Sequence, residues 1–103
     1  MKKSDQKPPI LLVHGFRGNH LGLAEFQKLL EAEGYQVFSP DIPPAFNTQN
    51  ETLPNFTDFT KDGYADFIAN YILDKHLDHP ILIGHSMGSI LAAATAEKYS
   101  HLI

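Results

Sequence analysis

The chain has 103 residues, of which 43% are hydrophobic and 19% charged, a composition typical of one small globular domain and not of a disordered chain. The net charge is -4 and the basic residues form no run longer than two, which argues against nucleic acid or an anionic membrane surface as a partner. There is no cysteine and hence no disulfide, which leaves the redox compartment open. The apolar run near the N-terminus is too short for a signal peptide or a membrane span, so we expect a cytoplasmic protein.

The first predicted element is a strand at Ile10 to Val13. Its four successive apolar residues favour a parallel strand that is buried on both faces. After a loop, apolar residues recur at helical spacing up to Gly34, which is typical of an amphipathic helix with a glycine at its C-terminal cap. The apolar positions of this helix are Leu23, Phe26, Leu29 and Leu30. The alternating segment from Tyr35 to Ser39 then predicts a second strand.

A long irregular segment follows between residues 40 and 59. Its four prolines and several Asn and Thr residues argue against a packed element. Loops of this length in compact domains usually carry function or move. Its phenylalanines either line a pocket or only anchor the segment to the core, and the sequence leaves both interpretations open. They are Phe46, Phe56 and Phe59.

The remaining elements are two helices with a strand between them. An apolar stripe from Tyr64 to Ile72 predicts a helix that ends near His76. The run from Pro80 to Ile83 predicts a third strand, and the alanine-rich stretch from Gly88 to Tyr99 predicts a helix that packs closely on the sheet. A pentapeptide, Gly84-His85-Ser86-Met87-Gly88, joins this strand to this helix. Strands that alternate with helices indicate a parallel α/β layout.

The pentapeptide has the Gly-x-Ser-x-Gly pattern of a nucleophile elbow. In such a turn the serine hydroxyl is exposed at the tip, and the residues two before and two after it lie against neighbouring backbone, where a side chain would collide. We therefore expect strained dihedrals at Ser86 and close backbone contacts at Gly84 and Gly88. The alternative is an ordinary strand-to-helix turn rich in small residues.

A second motif, Leu12-Val13-His14-Gly15-Phe16, follows the first strand. With both motifs, the chain resembles the α/β-hydrolases from about Pro8 to its last residue. The resemblance implies an α/β fold, a parallel sheet with helices on both faces, of which residues 1–103 form the N-terminal part of a single domain. It also implies that the strand of Ile10 to Val13 lies between the other two. A crevice at the carboxyl ends of the first and third strands then brings the two motifs together.

The resemblance further implies a serine hydrolase that cleaves an ester or a related acyl bond of a small molecule without a cofactor. Ser86 is the predicted nucleophile and forms a covalent intermediate. The backbone N–H groups of Phe16 and Met87 form the predicted oxyanion hole, and Met87 also begins a helix whose dipole favours negative charge there. The oxyanion loop and elbow are completed by His14, Gly15, Gly84, His85 and Gly88.

The acid and the base of a catalytic triad are expected elsewhere. In the family they follow the nucleophile in the order acid, then histidine. Glu97 and His101 do follow Ser86, but they lie about three helical turns along the axis, too far for a hydrogen bond. We therefore expect both residues, with the remainder of the hydrolase domain, beyond residue 103.

The other histidines have plainer interpretations. His14 resembles the family's oxyanion-loop histidine, which shapes that loop, and His85 is interpreted as a packing or pocket residue. His76 and His79 have a spacing that suits a metal ion, but no third ligand lies near them in sequence. A solvated helix end is the favoured interpretation, and no metal site is predicted.

Other functions remain open from the sequence. A non-catalytic α/β-hydrolase-like binding domain, or an inactive fragment, would equally lack a usable acid and base. Cleavage of a carbon–carbon or amide bond within the same family stays open because substrate choice depends on the lid and pocket. The family's Asp-x-Pro-Gly after the second strand is here Asp41-Ile42-Pro43-Pro44, which leaves the path of the following loop open. Residues 1–103 alone should be catalytically silent and prone to associate through the third strand.

Overall fold

The computed structural model describes residues 7–15, 20–42 and 60–103. Within these residues, three parallel strands form a sheet in the order β2-β1-β3. The strands are β1 (Ile10–Val13), β2 (Val37–Phe38) and β3 (Ile81–Gly84). The first strand therefore has the central position that was expected, and the parallel α/β layout is confirmed.

Helices follow or precede these strands in the predicted order. A 3₁₀ turn at His20–Leu23 leads into α1 (Ala24–Ala32), α2 (Lys61–Asp74) precedes β3, and α3 (Met87–Lys98) follows it. A second 3₁₀ turn at Ser100–Leu102 comes after α3. Among the described residues, no helix is long and apolar enough to cross a membrane.

The two faces of the sheet carry different helices. Successive side chains of a strand point to opposite faces. Ile10 and Leu12 pack with residues of α1 on one face. Leu11 and Val13 pack on the other face in a cluster that α2 and α3 complete. That cluster also contains Tyr64, Ile68, Ile72 and Leu91. Helices on both faces, and a first strand buried on both, are thus confirmed.

β2 is shorter than the predicted strand of residues 35–39. The first residue of the predicted strand, Tyr35, hydrogen-bonds to the end of α1. Gly34 has φ 93°, a left-handed conformation that glycine adopts easily. Its N–H donates to the Glu31 carbonyl at 3.0 Å, and the Tyr35 N–H donates to the Leu30 carbonyl at 3.2 Å. The predicted glycine cap is confirmed, and the Tyr35 N–H serves that cap and not the sheet.

The apolar stripe of α1 is only partly covered. Leu23 and Leu30 pack on the sheet, whereas Phe26 is 40% exposed and Leu29 is 66% exposed. Among the described residues, α1 has one face of a three-stranded sheet as its apolar partner, so only one side of the helix is buried. The predicted helix is present, and within the described residues its apolar stripe contacts the sheet through Leu23 and Leu30 only.

β3 lies at an edge of the sheet. Ile81 is 40% exposed, and an open apolar groove of about 560 Å³ runs between β3 and α3. The groove is lined by His79, Pro80, Ile81, Leu82, Ala92, Ala93, Ala96 and Ile103. No segment of the described chain covers this side of β3.

Several predictions fall outside the described residues. They concern Phe16 and the loop that follows it. They also concern most of the irregular segment, from residue 43 to residue 59, with its phenylalanines and Pro44.

Candidate active site

The turn between β3 and α3 consists of His85 and Ser86. Ser86 has φ 58° and ψ -126°, a left-handed conformation that is strained for a residue with a side chain. Backbone hydrogen bonds hold the turn on both sides: the His85 N–H donates to the Val13 carbonyl at 3.0 Å, and the Ser89 N–H donates to the Ser86 carbonyl at 2.9 Å. Ser86 is exposed. The expected strand, tight turn and helix with a strained serine are confirmed.

The two glycines of the pentapeptide lie directly against backbone. A Cβ atom on Gly84 would lie 2.4 Å from the Gly88 carbonyl oxygen, and one on Gly88 would lie 2.1 Å from the Val13 carbonyl oxygen. Both distances are far shorter than non-bonded atoms tolerate. The close contacts expected of both glycines are confirmed, and they fix the position of Ser86 relative to the end of β1.

The loop after β1 packs on the same turn through Gly15. A Cβ atom at this position would lie 3.1 Å from the Ser86 Cβ, 3.2 Å from the His85 carbonyl oxygen and 3.6 Å from the Met87 nitrogen. The absence of a side chain therefore lets the loop approach the serine closely. The two sequence motifs meet at this point, as the strand order predicts.

His14 is buried, with 5% of its surface exposed. Its Nε2 accepts the Ile42 N–H at 2.7 Å, and its Nδ1 lies 2.9 Å from the Gly15 carbonyl oxygen. Since an imidazole nitrogen that accepts a hydrogen bond carries no proton, the neutral ring has its proton on Nδ1 and donates it to Gly15. Both nitrogens are engaged, so this arrangement leaves neither to accept a proton from Ser86.

Met87 is the first residue of α3. The N–H groups of a first helical turn have no partner within the helix and form the positive end of its dipole. In the part of the chain that the structure describes, the Met87 N–H has no hydrogen-bond acceptor. It lies beside Gly15, whose neighbour Phe16 is outside the described residues.

The remaining histidines and Glu97 do not extend the site. His85 is exposed, and its interpretation as a packing or pocket residue stays a prediction. Glu97 and His101 are exposed at the far end of α3. The Nδ1 of His79 lies 2.7 Å from the carboxylate of Asp78 at the surface. No group of three or more potential metal ligands occurs within the described residues.

Two residues near the elbow were missed by the sequence analysis. Ser89 donates its hydroxyl to the Ser86 carbonyl at 2.6 Å. Such bonds are common for serine in a first helical turn, so the position of Ser89 could have indicated it. Ile42 bonds to His14 from 28 residues away, and no local pattern signals a contact over that distance.

A polar cluster at the other end of α3 was also missed. The Tyr99 hydroxyl donates to the Asp66 carboxylate, and the Lys98 ammonium lies 2.9 Å from it. The hydrogen bond from Tyr99, followed by that from Lys98, lowers the pKa of Asp66 below its usual value. The hydrogen bond to Asp66 raises the pKa of Tyr99. The cluster ties α2 to α3 and lies away from Ser86.

Comparisons with known proteins agree with this geometry. Residues 8–103 match a family described by the alpha/beta hydrolase fold. The chain is 26% identical over 82 residues to putative esterase/lipase 2 of Mycoplasma pneumoniae. The matched residues are 80% of this chain and 30% of that protein. It spans 26% to 33% of the length of the curated relatives that it matches.

Solved structures give the same result. A thioesterase domain from the curacin biosynthetic pathway is 31% identical with a TM-score of 0.73, covering 94% of this chain and 36% of that one. A predicted CIB-like hydrolase from Thermoplasma acidophilum has a TM-score of 0.77 at 21% identity, covering 100% of this chain and 51% of that one. At that identity, the second similarity shows the fold alone.

Proposed function

This chain belongs to the α/β-hydrolase family, and from that premise we propose that it is part of a serine hydrolase in which Ser86 attacks an ester or a related acyl bond. Relatives that are named as esterase, lipase or thioesterase support an acyl substrate at the level of the family. No cofactor is needed for this chemistry. The substrate we propose is a small acyl compound.

The observation that carries the proposal is the conformation of Ser86. Its backbone is held at φ 58° between a strand and the N-terminus of a helix, and the residue is exposed. Strain of this kind persists only where the surrounding structure imposes it, and it is frequent at functional sites. Here glycine contacts impose it from both sides. An ordinary turn would not require a strained serine at this position.

The reaction would proceed through an acyl-serine. The Ser86 oxygen attacks the acyl carbon while a histidine accepts the hydroxyl proton, and the former carbonyl oxygen becomes an oxyanion. The backbone N–H groups of Met87 and Phe16 stabilise that charge. The histidine then gives its proton to the departing alcohol. A water molecule that the same histidine activates attacks the acyl-serine, which releases the acid and restores Ser86.

We place the histidine and its acid beyond residue 103, in the remainder of a single hydrolase domain. Both ring nitrogens of His14 are occupied, and Glu97 and His101 lie at the other end of α3. The length of the relatives leaves room for these residues. The lid that selects the acyl chain would lie there as well.

A fluorophosphonate probe tests the proposal, because it reacts with an activated serine. We expect the complete protein to be labelled at Ser86, as located by mass spectrometry of the modified peptide. Ser86→Ala should abolish labelling. Ser100→Ala is the matched control, since Ser100 is an exposed serine at the far end of α3, and it should leave labelling unchanged.

Two results would contradict the proposal. Labelling that persists in Ser86→Ala, or that maps to Ser89 or Ser100, would mean that another serine is activated. A well-folded complete protein that is not labelled at all would favour the alternative function, a binding domain that keeps the elbow without the chemistry.

A further inference from the structure

Ser89 lies one helical turn beyond Ser86 and donates two hydrogen bonds to the Ser86 carbonyl oxygen. The Ser89 N–H lies 2.9 Å from that oxygen, and the Ser89 hydroxyl lies 2.6 Å from it. The bond from the N–H belongs to the backbone and would form with any residue except proline at this position. The bond from the hydroxyl depends on the side chain, so it is a contact that the start of a helix does not require.

The Ser86 carbonyl belongs to the same peptide group as the Met87 N–H. A peptide group is planar and trans, so its C=O and N–H point in opposite directions. A contact that restrains the carbonyl oxygen therefore restrains the direction of the N–H. The Met87 N–H has no acceptor among the described residues, and the neighbouring Gly15 has no side chain that could cover it. The direction of this donor is thus restrained while the donor itself stays available.

A hydrogen bond to the Ser86 carbonyl also strengthens the Met87 N–H as a donor. Hydrogen bonds that follow one another through polar groups polarise each other, by about 10–30% per bond. The Ser89 hydroxyl, the Ser86 carbonyl and the Met87 N–H form such a series. The polarisation has its largest effect when the acceptor of the Met87 N–H carries a negative charge.

We propose that Ser89 is a positioning residue for the oxyanion donor of the elbow. Its hydroxyl holds the peptide between Ser86 and Met87 in the orientation in which the Met87 N–H points at the oxygen of the reacting acyl group. It also polarises that N–H. Ser89 acts through this peptide and not on the substrate. The inference rests on the proposed function, because an oxyanion forms only if Ser86 attacks an acyl carbon.

The alternative is that the Ser89 hydroxyl only stabilises the first turn of α3. The two roles predict different results because Ser89 is exposed. Ser89→Ala leaves no buried polar group without a partner, and alanine is a better helix former than serine. The melting temperature of the complete protein should therefore not fall in this variant, and a loss of activity would have to come from the elbow itself.

Steady-state kinetics of the complete protein on a short-chain p-nitrophenyl ester test the role. We expect Ser89→Ala to lower kcat by about three- to tenfold, less than the roughly 10²- to 10³-fold cost of removing an oxyanion donor, because the donor remains and loses one restraint. KM should stay within about twofold, since the charge develops in the transition state and not in the bound ester. Ser89→Thr should restore most of kcat, because a threonine hydroxyl in a helix can bond to the same carbonyl.

Ser100→Ala is the matched control, because Ser100 is an exposed serine in the turn after α3. This variant should leave kcat and KM unchanged. The carbonyl ¹³C resonance of Ser86 in the complete protein gives a measurement that does not depend on turnover. Loss of a hydrogen bond should move this resonance upfield in Ser89→Ala, and Ser89→Thr should reverse the shift.

Two kinds of result would contradict the inference, and they are distinguishable. An unchanged kcat in Ser89→Ala, or a loss that Ser89→Thr does not restore, would refute the role of Ser89 and leave the proposed function in place. A wild type with neither turnover nor fluorophosphonate labelling would refute the proposed function itself. The Ser86 carbonyl resonance would then still show whether the Ser89 hydroxyl holds this peptide.

Discussion

The two ends of α3 are held in different ways. At its N-terminus, Gly84, Gly88 and the Val13 carbonyl meet backbone to backbone, at distances where no side chain fits. At its C-terminus, the helix is tied by Asp66, Lys98 and Tyr99, whose side chains are partly exposed, and an apolar groove stays open beside it. The position of the helix end that carries Ser86 is thus fixed by close backbone packing. The position of the other end is held by side-chain contacts that each contribute little energy.

This difference indicates which part of the domain the chain can build by itself. The elbow needs only β1, β3 and the start of α3, all of which the described residues supply. The groove beside β3 and the outer face of α1 expose apolar side chains, among them Ile81 and Leu29. We therefore expect the geometry of Ser86 to be robust and the edge of β3 to need a covering element.

The largest expected effect comes from testing residues 1–103 alone. We expect turnover of short-chain p-nitrophenyl esters to fall below detection, because serine hydrolases that lack triad residues retain only residual catalysis. The same chain should associate through the open edge of β3, and size-exclusion chromatography would show it. Ile81→Lys should reduce the association, because charge on an edge strand opposes pairing.

A monomeric fragment with Ser86-dependent turnover would contradict this prediction. It would require a base among the histidines of the described residues. It would also remove the contrast between a complete elbow and an incomplete edge.

The next largest effect is expected at the well-determined end of α3. Gly88→Val places a Cβ at 2.1 Å from the Val13 carbonyl oxygen, so β1 and α3 must separate. We expect a loss of about 3 kcal/mol or more, the upper part of the usual range for overpacking, which is a large share of the stability of a small domain. Thermal melting followed by circular dichroism would measure it.

Gly22→Ala is the matched control for that variant. A Cβ at Gly22 would meet no described atom within 4 Å, so the melting temperature should stay close to that of the wild type. Equal melting temperatures for the two variants would mean that the close packing at the elbow does not exist.

The smallest effect is expected at the far end of α3. Tyr99→Phe removes the hydrogen bond to Asp66 and should lower the melting temperature at pH 7 by a few degrees at most, because these groups are partly exposed to water. The folded state lowers the pKa of Asp66. The stability that ionised Asp66 contributes to the fold is therefore present above the pKa of the unfolded state. It disappears as the pH falls through the pKa of the folded state.

The difference between Tyr99→Phe and the wild type should accordingly vanish in acid, below the normal titration range of aspartate. Tyr35→Phe is the control, since in the described residues the Tyr35 ring contacts the Lys7 ammonium and its hydroxyl has no hydrogen-bond partner. A difference that persists unchanged in acid would show that Tyr99 acts through packing and not through Asp66.

The sequence predicted those parts of the fold that depend on local patterns. The apolar run of β1, the glycine cap of α1 and the strand–turn–helix around Ser86 all have short-range signals, and the structure confirms each of them. The length of β2 was missed because the Tyr35 N–H has two possible partners, the helix cap and the sheet. The exposure of Phe26 could not be predicted, because periodicity shows which residues share a face and not what covers that face.

In the candidate site, too, the residues with a local sequence signal were predictable. The pentapeptide and the His14-Gly15 motif identify residues that the structure brings together. The bond from Ile42 to His14 was not predictable, because a buried contact between distant segments leaves no periodic signal. The roles of Ser86 and Met87 stay predictions until the probe and the kinetic measurements are made.

The hydrogen bond from the His85 N–H to the Val13 carbonyl also has a consequence for folding. β1 and β3 are roughly 70 residues apart in the chain, and closing a loop of that length precedes any energetic gain from the pairing. Since the strain at Ser86 is imposed by contacts with the end of β1, the pentapeptide has no local means of holding it. We therefore expect the elbow to form late, after the sheet, so that a partly folded chain contains Ser86 but not yet its strained geometry.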